Sequence, residues 1–346
     1  MTKEICPFLG KLREDNNLSG SCIQEQCMFY SSQKSRCIFL EIGTASDEYL
    51  ESLKRIAEQN ELTVMRERAN NFSESEKAER ISFYINQANI YKNKGDFTKA
   101  LLEYKKSMIL APNDPSIHKA LGDIYSIQGI LEEAISAYRQ ALLQEPDDGE
   151  TWIRLILQYR AFCANMPDRE KKTSDILEKL TSELKKLKNE SMGSCITGNA
   201  NLILHPTDPE SYALQRDKAA VLMEKALEID PGNIWAHLGV KDVKIYANDY
   251  EAAVNQLLEG ISHNPDNSRL TFELAECYLL AQAEHAMSTE DALSKAQENY
   301  KKVLKQDPGY APAYFRLGYI AEHRAFYDQA IEYYQQGLNI NPTNVF

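Results

Sequence analysis

Four thiols stand close together near the start of this 346-residue chain: Cys6, Cys22, Cys27 and Cys37. Their spacing, C-x15-C-x4-C-x9-C, suits one metal site. One tight loop could join Cys22 to Cys27, as in structural zinc sites, with Cys6 and Cys37 brought in from the flanking arms. Forty residues bury little apolar area, so a metal would supply the folding energy. Phe8, Phe29 with Tyr30, and Phe39 follow three of the thiols and would form an apolar shell. Zn²⁺ suits four thiolates in a closed tetrahedron. An iron–sulfur cluster, the alternative, also takes four, although the ferredoxin spacings are absent. Four reduced, packed thiols without metal are the third reading.

The chain holds seven cysteines, an odd total that makes a poor disulfide framework and suits a reducing cytoplasm. Cys163, Cys195 and Cys277 lie far apart and read as small core residues. Other chemistry is thin. No two of the six histidines are four residues apart, and no nucleophile elbow or phosphate loop occurs. The expectation is therefore a non-enzyme. No run of 18 apolar residues is present, so no membrane span is expected, and the start lacks the apolar core of a signal peptide. Formal net charge is −12. Residues 1–40 hold five Lys/Arg and four Asp/Glu, so the acidity lies in the remainder. Such a chain repels phosphate backbones, which argues against nucleic acid as a partner.

The elements that would position these groups repeat. Residues 81–114 and 115–148 align over 34 residues, matching Tyr91 with Tyr125, Gly95 with Gly129, Ala100 with Ala134, Tyr104 with Tyr138 and Pro112 with Pro146. The small residues Ala88 and Gly122 let two helices approach. The turn glycine can take positive φ, and the proline ends the unit. The pattern returns at 234–267, at 268–308 with about nine extra residues near 283–291, and at 311–344. His118 and His237 fall on core positions of these units. The pattern resembles the tetratricopeptide repeat. That resemblance implies an all-α fold: a right-handed superhelical solenoid of helix-turn-helix repeats, preceded by the small cysteine-rich module. The module itself resembles short N-terminal CPF…C…C…C modules of bacterial proteins, a likeness that implies no activity.

Five regions follow. Residues 1–42 form the four-Cys module and 43–80 a connecting or capping helix, with Thr44 or Ser46 as its cap. Residues 81–148 hold two regular repeats and 149–209 a divergent helical segment. Residues 210–346 hold further repeats with the insertion. Within the divergent segment, SDILEKLTSELKKLKNE reads as a charged helix with a solvated face. The stretch SMGSCITGNANLILHPTD has the composition of a loop.

Binding should occur where first helices line a concave surface. The resemblance assigns this role to positions 2, 5, 9 and 12 of each unit. In the later units these include Trp235, Leu238, Asp242, Phe272, Glu276, Phe315 and Tyr319, an apolar and acidic set suited to a peptide or amphipathic helix of another protein. Asp242, Glu276 and Glu322 would favour basic neighbours on that partner. A frame slip of one residue would put the aromatics in the core instead. The carboxylate clamp of chaperone-tail binders is not matched, because positions 5 and 9 of the first unit are Ile85 and Asn89. Ala330, Tyr333, Tyr334 and Leu338 lie near the last residues, so self-association through the final repeat is expected. The reading is a cytoplasmic scaffold. The rival is a redox- or metal-sensing protein whose cluster controls the solenoid.

Overall fold

The structure is a computed structural model and describes residues 30–31, 36–37, 47–164, 166–204, 209–284 and 286–341. Cys6, Cys22 and Cys27, the side chain of Cys37, and the cap candidates Thr44 and Ser46 lie outside the described residues. The chain divides into two compact units, 1–72 and 73–346. In the first, β1 (Tyr30–Ser31) pairs antiparallel with β2 (Arg36–Cys37), with Tyr30 opposite Cys37. Helix α1 spans Asp47–Ala69.

The second unit is helical throughout its described residues. Its elements are α2 (Glu74–Asn93), α3 (Phe97–Leu110), α4 (Pro115–Ile127), α5 (Leu131–Gln144), α6 (Gly149–Ala164) and α7 (Arg169–Leu184). They continue with α8 (Glu190–Ile203), α9 (Pro209–Ile229), α10 (Ile234–Tyr246), α11 (Tyr250–His263), α12 (Ser268–Ala283), α13 (Thr289–Gln306), α14 (Ala311–His323) and α15 (Tyr327–Ile340). Helices pack with their chain neighbours, and first helices also meet across units, α6 with α8 and α8 with α10.

Local chemistry sets the ends. Ser73 starts α2 through a capping box with Glu76, so the helix that carries the start of the first repeat at residue 81 begins upstream of it. Asp96, Asp114, Asn233, Asp249, Asn267 and Ser288 each accept a backbone N–H at a helix start. At position 15 of four units the chain turns through the left-handed region: Gly95 (φ 75°), Gly129 (φ 72°), Asn248 (φ 58°) and Ala325 (φ 61°). The extra residues near 283–291 go into the ends of α12 and α13 and the turn between them.

Residues 191–203 are not a loop. They form most of α8, which buries Ser191, Gly193, Cys195 to Leu202 and caps itself with Asn189. Packing overrides weak helix propensity here. A Cβ on Gly193 would sit 2.8 Å from the Leu184 carbonyl, and one on Gly198 would sit 3.0 Å from that of Ala219. Only small residues let α8 settle between α7 and α9. Its polar side chains bond inward: Thr197 Oγ1 donates to Gly193, Asn201 Nδ2 to Thr197 and Ser191 Oγ to Ala226. The missing first helix before 210–233 is therefore α8.

Candidate protein-binding face

Each first helix presents a polar row, and much of that row is already committed inside the fold. Tyr104 Oη donates to Asn89 at 2.6 Å, Tyr138 Oη to Asp123 at 2.8 Å, and Tyr300 Oη to Glu276. The acceptor stands at position 9 of its unit in all three cases. Burial pushes the Tyr104 hydroxyl up to about 12, so it stays a donor. Position 9 then pairs with position 6 of the next first helix: Asp123 with Arg154, and Glu276 with Arg316 at 2.6 Å. In the unit between, positions 9 and 6 are both acids, Asp242 and Glu273, and Lys241 at position 8 bridges them. Lys241 lies 2.7 Å from Asp242 and 2.9 Å from Glu273, which holds position 6 of α12. The two carboxylates hold the Lys241 ammonium above its ordinary range although burial opposes this.

The predicted groove residues separate into two groups. Trp235, Leu238 and Asp242 share an open cavity of about 140 Å³ between α6, α8, α10 and α12, together with Arg160, Asn199 and Arg269. Leu238 is buried in its wall. The Arg269 guanidinium lies 4.5 Å from the Trp235 ring centre and 4.0 Å from the Glu150 carboxylate. A Cβ on Gly149 would sit 2.5 Å from the indole, so the absence of a side chain there seats Trp235. Phe272, Glu276, Phe315 and Tyr319 lie outside this cavity. Phe272 packs 5.4 Å from Tyr300 and 5.1 Å from Tyr310. Phe315 is buried, 6% exposed, with its ring closed over Gly337. Tyr319 is exposed and lies 4.5 Å from the His323 ring.

The acids expected to attract a basic partner are engaged internally. Asp242 meets Lys241, Glu276 meets Arg316, and Glu322 accepts from Tyr334. The cavity offers cations instead, the exposed Arg160 and the half-buried Arg269 over the indole. Arg160, Lys241 and Glu273 escaped the sequence reading. The opposite charges at position 9 and at position 6 of the next unit, seen in Asp123 with Arg154 and Glu276 with Arg316, did not point to them, because Glu273 follows the acid Asp242.

Among the described residues no three His, Cys, Asp or Glu side chains are placed to hold a metal. Cys163, Cys195 and Cys277 are buried thiols. Burial pushes the Cys277 thiol up to about 12. No helix among the described residues is long and apolar enough to cross a membrane.

Paired helices at a fixed period define a helical-repeat class of protein. Residues 85–150, 242–286 and 311–344 match profiles of the tetratricopeptide repeat. Over 95 residues the chain is 32% identical to Hsp70-Hsp90 organizing protein 3 of Arabidopsis thaliana, covering 28% of this chain and 15% of that protein. Over 259 residues it is 24% identical to protein O-mannosyl-transferase TMTC1 of Homo sapiens, covering 75% of this chain and 23% of that one. The chain spans a quarter or less of the length of the curated relatives it matches. A solved tetratricopeptide repeat protein of Thermus thermophilus is similar at a TM-score of 0.41 and 19% identity, over 63% of this chain and 99% of that one. Repeats of this kind support a protein-interaction role.

Proposed function

We propose that the chain is a non-catalytic scaffold that binds a segment of another protein on its first-helix face, centred on Trp235. The observation that carries this is the open cavity that joins the Trp235 ring to Arg269 and Arg160. Trp and Arg are the residue types that dominate interface energetics, and a guanidinium over an indole leaves donors free to meet a carboxylate or carbonyl. The ligand in this reading is an extended peptide with an apolar anchor on Trp235 and acceptors toward the two arginines. Chaperone-tail capture is not proposed, because Ile85 cannot ion-pair and Asn89 accepts from Tyr104.

Peptides selected from a random display library on the full chain provide the test. Arg160→Ala alters an exposed side chain and Arg269→Ala a half-buried one on the cavity rim, outside the helix cores, so the fold should persist while affinity falls by about 1–3 kcal/mol for each hot-spot contact. Ligands whose affinity ignores both substitutions would place the binding surface elsewhere.

Two subsidiary proposals complete the reading. The four N-terminal cysteines bind one structural metal, Zn²⁺ first and an iron–sulfur cluster second, which rests on their spacing alone. Copies of the chain associate through α15, which exposes Tyr327, Ile331 and Leu338. Light scattering of Ile331→Glu checks the second: a wild type that stays monomeric at high concentration counts against it.

A further inference from the structure

The stretch read as a solvated charged helix forms one wall of a large groove. This groove opens between the second helices α7 and α9, has a volume of about 1290 Å³, and is floored by α8. We propose that it binds an acidic amphipathic helix of a partner protein. The proposal concerns a different face from the Trp235 cavity, so either reading stands without the other.

Shape comes first. Helices α7 and α9 have 16 and 21 residues. At about 1.5 Å per residue they run for roughly 24 and 32 Å, enough to cradle a helix of three to four turns. The floor carries Ser194, Thr197 and Asn201, spaced at helical intervals and small enough for a backbone to approach. The Thr197 hydroxyl and one N–H of the Asn201 amide already donate within their own helix, and a polar group on the incoming helix would meet the second Asn201 N–H and the Ser194 hydroxyl.

The walls are apolar. On α9, Leu214 is 56% exposed and Val221 is 66% exposed, seven residues apart on one face. Leu177 and Leu187 face them from the α7 side. Such a stripe accepts apolar residues at i, i+3 or i+4, and i+7 of an incoming helix.

Charge chooses the occupant. Among the described residues Lys185, Lys188 and Lys218 on the rim make no ion pair. The rim acids are largely spent: Glu190 pairs with Lys225 at 2.7 Å and Asp217 with Arg216 at 3.0 Å, leaving Glu178. The rim is thus cationic on a chain of net charge −12. It selects acidic flanks, by association rate and by rejection of basic ones. The N-terminal 40 residues, with five cations against four anions, do not supply such flanks.

The probe is a fluorescein-labelled, side-chain-stapled helical peptide with Leu at i, i+3 and i+7 and Glu on both flanks, titrated into the full chain by anisotropy. Its counterpart carries Lys for Glu. The Glu peptide should bind at least tenfold more tightly than the Lys peptide at low salt, and rising ionic strength should narrow the gap. Lys185→Glu with Lys188→Glu and Lys218→Glu should weaken it at least tenfold, as should Val221→Glu alone, with helicity by circular dichroism unchanged. Arg269→Ala should leave it unaltered. Equal affinity for the two peptides overturns the proposal, as does indifference to the charge reversals. A loss in Arg269→Ala as large as in the triple variant overturns it by placing the peptide on the first-helix face. Dimers in the wild type that the triple variant dissociates would make the occupant a second copy, and the proposal fails.

Discussion

The indole of Trp152 donates to the carbonyl of Pro146, six residues earlier, at 2.8 Å. His237 Nε2 meets the Pro231 carbonyl at 2.8 Å, and His118 Nε2 meets that of Pro112 at 2.7 Å, with the same spacing. Position 4 of each of these units thus closes off the carbonyl of the proline that ended the previous one. For His237, Nε2 is the donor, since Nδ1 faces the Gln256 amide at 2.7 Å. These bonds are only partly buried and the prolines are exposed, so each is worth about the 0.5–1.5 kcal/mol of an ordinary hydrogen bond. Trp152→Phe keeps an aromatic ring and loses the N–H, so it should lower the stability measured by urea unfolding by about 1 kcal/mol. A change of a few tenths would mean that water already serves Pro146.

Ala325 occupies a turn that the other units fill with Gly or Asn, at φ 61°. A left-handed conformation costs an L-residue with a Cβ about 1–2 kcal/mol. Ala325→Gly should therefore stabilise the chain by about 1 kcal/mol, and Gly129→Ala should destabilise it by a similar amount. A Cβ at Gly129 meets nothing within 4 Å, so the effect there comes from the backbone alone. Opposite shifts in the thermal midpoint check both; shifts of the same sign refute the turn argument.

Phe315 was a candidate for the binding face and sits in the core. Phe315→Ala should cost about 3–5 kcal/mol of stability, by removing buried area and leaving a cavity under Gly337. Chemical denaturation reads this directly. A cost below 1 kcal/mol would return Phe315 to the surface.

Asp148 begins α6 and is held below its ordinary carboxyl range. Burial pushes its pKa up, but Lys119 at 2.6 Å and the hydrogen bonds from Thr151 outweigh burial. The folded value lies below the unfolded one near 3.8, so the stabilisation is complete above that pH and fades as pH falls through the folded value. Asp148→Asn should lower stability at neutral pH and flatten the acid limb of the stability profile. An unchanged acid limb would assign that loss to other carboxylates.

Cys27→Ser should release the proposed N-terminal metal and leave the repeats helical, with metal analysis of anaerobically purified protein and circular dichroism as the two measurements. Iron with visible absorbance would favour the cluster over zinc. A wild type that purifies free of metal with an ordered N-terminus would end the proposal.

The repeat was legible because its signals are local. The 34-residue period, the turn glycines, the helix-starting Asp and Asn residues and the terminal prolines each act within a few residues of themselves. Local capping and left-handed turns need no distant partner to be recognised. Helix α8 was not legible, because Ser, Gly and Asn disfavour an isolated helix. They suit one pressed between two neighbours, where small volume and inward hydrogen bonds outweigh propensity. The proposed binding face was half legible. Position counting brought Trp235, Leu238 and Asp242 to one cavity, yet it could not show that Phe315 folds over Gly337 or that Glu276 is taken by Tyr300 and Arg316. Those outcomes depend on which side chains of adjacent helices meet. Close packing and the pairing of charges across units decide that, and neither exists until the helices have docked.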